Sequence, residues 1–141
     1  GGPLHAANFL PLTEAAANAF RSGHIVIGHD IEMWADLYRV DPELTERMAA
    51  LFRRTLGDAQ VFRLAPEMIG EDFSRYGRSE PAVPILMFRL GTTRAEVLFA
   101  ARQGGAPVPA LHSSRYRADV ELSIRTGVAA MTAAAMEMLA K

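Results

Sequence analysis

The chain contains no cysteine, and its only lysine is Lys141. Without cysteine it can form neither a disulfide framework nor a thiolate metal site, an absence that fits a cytoplasmic protein. Nearly all the positive charge is therefore arginine, and acids balance it to a formal net charge of −1. That balance gives no electrostatic case for binding nucleic acid. Long apolar runs are also missing. The longest weakly polar stretch, residues 128–140, is interrupted by Glu137 and is too short to span a bilayer. No basic segment precedes an apolar one in the manner of a signal peptide. Neither nucleic acid nor membrane is expected as a partner.

What remains is a chain of 141 residues, 50% hydrophobic and 22% charged. This is enough for one core and one domain, and the composition is that of a globular chain rather than a disordered one. Residues 1–12 read as an irregular lead-in. Thr13 can cap a short helix over 14–21. His24-Ile25-Val26-Ile27 is a β-branched run that predicts a strand ending at Gly28. The clearest local pattern follows. Asp41 stands at an N-cap, Pro42 at the first helical position and Glu43 at the positive end of the dipole. Leu44, Met48, Leu51 and Phe52 then recur on one face, and Gly57 closes the helix.

Further along, Val61, Phe62 and Leu64 predict a strand over 58–65, stopped by Pro66. A short helix is expected from about Glu71 to Gly77. The run at 83–90, nearly all apolar, suits a central strand buried on both faces, although Pro84 limits its pairing. Residues 91–117 form a long Gly/Pro-containing connection, of the kind that carries function, with helix expected somewhere in 93–102. A last helix over about 121–139 carries an apolar stripe of Ile124, Val128, Met131, Ala135, Met138 and Leu139, read as core. Gly127 within it costs about 1 kcal/mol relative to alanine unless it allows close packing. The alternation of helix and strand predicts an α/β architecture, a sheet covered by helices.

Two short motifs could carry chemistry. His112, in Leu111-His112-Ser113-Ser114-Arg115-Tyr116, follows the Gly/Pro-rich loop. A neutral imidazole there can offer one nitrogen to a divalent metal, or can be an ordinary surface histidine. In Met68-Ile69-Gly70-Glu71-Asp72-Phe73-Ser74, glycine before two carboxylates at a helix start allows close backbone approach. The amides of that turn can hold an anion such as a substrate carboxylate, or Glu71 and Asp72 can simply cap the helix.

The order of motifs resembles a known family. Asp-Pro-Glu-Leu-Thr-Glu at 41–46, Met-Ile-Gly-Glu-Asp-Phe-Ser at 68–74, Phe-Arg-Leu-Gly at 88–91, Leu-His-Ser-Ser-Arg-Tyr at 111–116 and Thr-Gly-Val at 126–128 are similar to the C-terminal part of the metal-dependent amidohydrolases. These zinc-peptidase-like enzymes include hippurate hydrolase, an N-acyl-amino-acid amidohydrolase, and the hydrolases of indoleacetyl–amino acid conjugates. The resemblance covers 37–141 and leaves 1–36 as an unassigned N-terminal segment.

It implies part of a three-layer zinc-exopeptidase-like catalytic domain. The smaller lid domain that interrupts this domain, often used for homo-oligomerisation, is absent here. It implies His112 as the last ligand to a zinc- or manganese-type divalent metal, and Gly70, Glu71 and Asp72 as residues facing substrate. The substrate class implied is an N-acyl amino acid, cleaved at its amide bond to a carboxylic acid and an amino acid.

The departures from the family are as informative. Its metal centre also uses a cysteine–glycine–histidine motif, a further histidine and a pair of adjacent glutamates, one of which activates the metal-bound water. This chain has no cysteine and no adjacent Glu-Glu pair. Gly28-His29-Asp30 echoes part of the first motif, but Ile27 stands at the cysteine position and cannot ligate. Amide hydrolysis at a metal needs an open metal site and a base within hydrogen-bond reach, and one histidine supplies neither. The expectation is a fragment or shortened relative of such an enzyme, with no catalytic residue of its own and inactive alone. Two readings compete with it. One is a non-catalytic α/β module that associates with a partner or with itself. The other is a small enzyme using His24, His29, Asp30 and Glu32.

Overall fold

The computed structural model describes residues 21–27, 30–33, 36–63, 67–68 and 72–140. The expected helix over 14–21 falls largely outside them. Strand β1 (Ile25–Ile27) lies between β4 (Val61–Arg63), parallel to it, and β6 (Phe88–Leu90), antiparallel. A second three-stranded sheet has β2 (Asp30–Met33) in the middle, flanked by β3 (Asp36–Arg39), antiparallel, and β5 (Glu67–Met68), parallel. One register links the two sheets. Ile25 pairs with Val61 and Ile31 with Glu67, so in both sheets a residue meets the one 36 positions further on. The parallel pairing of 25–27 with 61–63 thus resumes in phase at 31–32 with 67–68.

Helix α1 (Pro42–Leu56) forms as its sequence predicts. The Asp41 carboxylate accepts from the Leu44 N–H at 2.7 Å, Pro42 opens the first turn, and the Gly57 N–H donates to the Arg53 carbonyl. Its apolar face buries Met48, Ala49, Leu51 and Phe52 against Ile25, Ile27 and Val61. Phe52 meets Phe88 edge-on, with ring centroids 4.9 Å apart. Each large side chain buried this way contributes roughly 1.5–3 kcal/mol. The charged face is not left wholly to solvent. Arg47 donates to the side chain and the backbone carbonyl of Glu137 at 2.9 Å, and Arg63 pairs with Glu46.

The strand buried on both faces is β1, not the apolar run at 83–90. Ile25, Val26 and Ile27 are all buried, and β1 is the middle strand of its three. The run at 83–90 forms a strand only at Phe88–Leu90, on the sheet's edge, and Val83 is exposed. Pro81 and Pro84 lack the N–H that a central strand must donate on one side, so only the segment beyond them pairs.

The last helix, here α3 (Val120–Leu139), also departs from expectation, in phase rather than extent. It buries Ser123, Thr126 and Ala130, with Ala133 and Ala134 packed against the core. Its large apolar residues Ile124, Val128, Met131, Met138 and Leu139 are each more than half exposed. Small side chains let the helix approach closely. A Cβ on Gly127 would sit 3.2 Å from Leu90 Cδ2, so this glycine permits close packing on β6. Asp119 caps α3, its second carboxylate oxygen accepting from Ser22 Oγ at 2.8 Å. A helix α2 (Ala95–Arg102) lies within the long 91–117 connection. No helix among the described residues is long and apolar enough to cross a membrane.

Candidate functional site

His112 lies in the loop that links α2 to α3. A turn closed by the Ser113 N–H donating to the Ala110 carbonyl at 2.9 Å carries it. A second turn follows, with the Tyr116 N–H donating to the Ser113 carbonyl at 3.0 Å and the Arg115 N–H to Ser113 Oγ at 3.2 Å. Ser113 therefore shapes the backbone on both sides of itself, and the chain bends where the imidazole leaves it. His112 and Leu111 are both exposed. A histidine so placed can be met by a donor set arriving from outside the loop.

The loop is fastened at its far end. The hydroxyls of Thr92 and Tyr116 are hydrogen-bonded, and the Asp119 N–H donates to the Thr92 carbonyl at 2.7 Å. Thr92 in turn follows Gly91, whose N–H donates to the His24 carbonyl at 2.9 Å. A Cβ on Gly91 would lie 2.0 Å from the Arg21 carbonyl oxygen. Only glycine lets the strand exit pass so close to residue 21. The Phe-Arg-Leu-Gly motif at 88–91 thus anchors the base of the His112 loop.

Of the second motif, Gly70 and Glu71 lie outside the described residues. Asp72 opens a 3-10 helix, Asp72–Arg78, where the sequence predicts a helix start. Phe73 and Tyr76 pack against each other within it, ring centroids 5.6 Å apart. Among the described residues, no three or more His, Asp or Glu side chains gather as a metal site. Those residues present one outward imidazole, and one donor is not a metal centre. Of the histidines in the competing small-enzyme reading, His24 is buried and stacks on Phe62 at 4.9 Å, which commits it to packing. His29 lies outside the described residues, and Asp30 and Glu32 belong to β2.

A cavity of about 440 Å³ opens beside the His112 loop. Arg94, at the N-terminus of α2, lines it together with Arg115 and Arg117 from the loop. No sequence motif groups Arg94 with Arg115 and Arg117, because only the fold brings those two segments together. No family of proteins, no curated protein and no solved structure matches this chain.

Proposed function

We propose that this chain is the C-terminal part of a metal-dependent amidohydrolase, built on a zinc-exopeptidase-like catalytic domain and hydrolysing N-acyl amino acids. In this reading His112 supplies one imidazole to the divalent metal of the complete enzyme, and the 70–72 segment faces the substrate. The bound metal would supply Lewis acidity and an activated water. The remaining ligands and the general base come from outside this chain, which is inactive by itself and acts in the cytoplasm when complete.

The observation that carries this reading is the exposed stripe on α3. Val120, Ile124, Val128, Met131 and Met138 recur at helical spacing, all more than half exposed, while the opposite face packs on the core. Contiguous apolar surface of that kind marks a contact face. Covering it would contribute on the order of 5 kcal/mol. A helix with one face on its own sheet and a second apolar face open fits a layer to be covered by the rest of a larger domain. The outward His112 fits the same incompleteness.

The stripe also supports the second reading, a non-catalytic α/β module that associates through α3. Metal titration by equilibrium dialysis, on the chain and on His112→Ala, tests the first. The expected result is weak zinc or manganese binding that is reduced by the substitution, and no hydrolysis of an N-acyl amino acid. Stoichiometric tight binding, or metal-dependent hydrolysis by the pure chain, would show that a full ligand set is present and overturn the proposal.

A further inference from the structure

The arginine-lined cavity is not explained by the amidohydrolase reading, and its chemistry can be read independently. Three arginines, Arg94, Arg115 and Arg117, line it, and among the described residues no aspartate or glutamate does. Asp119, the nearest acid along the loop, is already engaged with Ser22 and the first turn of α3. Arg117 is held in place, donating to the carbonyls of Ser114 at 3.1 Å and Tyr116 at 2.8 Å. Among the described residues, the Arg94 and Arg115 guanidiniums have no ion-pair or hydrogen-bond partner. Like charges gathered in a concavity repel one another and raise the local positive potential above that of an open surface. Such an arrangement is relieved by an anion, and the planar guanidinium fork matches carboxylate and phosphate oxygens.

Val97, Val108, Pro109 and Ala118 supply an apolar part of the wall, and Thr93 and Tyr116 complete it. The volume falls within the range of small-molecule sites. Both walls are fixed before any ligand arrives. Thr93 is buried, its carbonyl accepting from the Ser22 N–H at 2.8 Å, and the Thr92–Tyr116 hydroxyl pair joins the loop to the end of β6. A preformed site loses little ordering entropy on binding.

We propose that this cavity binds a small, multiply charged oxyanion bearing a compact apolar portion, of the phosphate-monoester or polycarboxylate kind. Arg94 and Arg115 grip the oxygens from the two walls, and Arg117 adds fixed positive charge. The bound anion bridges α2 to the loop that carries His112. This site does not depend on what His112 ligates.

The test is a titration of the full chain, followed by the backbone amide resonances of 93–97 and 108–118. The probes are inorganic phosphate, phenyl phosphate and citrate, with acetate as a singly charged comparator. Phosphate, phenyl phosphate and citrate should bind saturably. Phenyl phosphate should bind more tightly than phosphate, and acetate at least tenfold more weakly than either. A clear preference for phenyl phosphate over citrate, or the reverse, identifies which oxyanion the site takes. Arg94→Gln and Arg115→Gln should each weaken binding about tenfold. Arg125→Gln, on the exposed side of α3, should leave it unchanged, and rising salt should weaken it. All the variants substitute exposed side chains, and an unchanged circular dichroism spectrum verifies their folding. Resonance shifts that fail to saturate, that acetate reproduces equally, or that survive in the Arg94→Gln/Arg115→Gln double variant would overturn the proposal.

Discussion

Two adjacent residues on α3, Ala130 and Met131, should respond to substitution in opposite ways. Ala130 is fully buried against the cluster formed by Phe52, Met48 and Ile25, whereas Met131 is 59% exposed. Met131→Gln keeps side-chain length and helix propensity, so it should change unfolding free energy by no more than about 0.5 kcal/mol. Ala130→Leu improves nothing in propensity but forces extra methyl groups into a filled interface, which should cost about 1–3 kcal/mol. If the apolar stripe were core, the ranking would reverse. Met131→Gln would then bury an amide without partners and cost about 2 kcal/mol or more, while Ala130→Leu would be nearly neutral. Urea denaturation of both variants at several protein concentrations decides between them. A concentration-dependent loss for Met131→Gln would favour association of two copies through the stripe. A concentration-independent loss above about 2 kcal/mol for Met131→Gln, with Ala130→Leu neutral, would show that the stripe is core after all.

Two further substitutions test the frame around the site. Gly91→Ala places a methyl group against the Arg21 carbonyl oxygen, a backbone atom that cannot rotate away, and should destabilise by more than about 3 kcal/mol in thermal unfolding. Asp41→Ala removes the acceptor of the Leu44 N–H and should cost about 1 kcal/mol, visible as a lower urea midpoint with an unchanged slope.

Helix α1 is legible in the sequence because its signals are local: an Asp cap, a proline at the first position, an apolar period and a closing glycine. The β2–β3 hairpin is not legible. Asp30 and Arg39 are its first pair, and the two residues between the strands, Trp34 and Ala35, include none of the glycine or asparagine that announces a tight turn. The run at 83–90 is apolar enough for a central strand, but which strand takes the centre depends on pairing across the chain, and Ile25–Ile27 takes it.

The phase of α3 is hidden for a related reason. Periodicity identifies a large-residue stripe, yet close packing on β6 and α1 selects the face with Ser123, Thr126, Gly127 and Ala130. Hydrophobicity says that a face needs covering but not which element covers it. The same limit governs the site. His112 is legible as a motif residue, while the grouping of Arg94 with Arg115 and Arg117 requires the fold.

If this chain is one side of a metallo-amidohydrolase, its other side is encoded elsewhere, and the genomic sequence upstream of the codon for Gly1 is the place to look. Sequencing there should reveal an adjoining reading frame that encodes a cysteine–glycine–histidine motif and a pair of adjacent glutamates. A natural start codon near residue 1, with no such frame nearby, would contradict that account and favour the non-catalytic module.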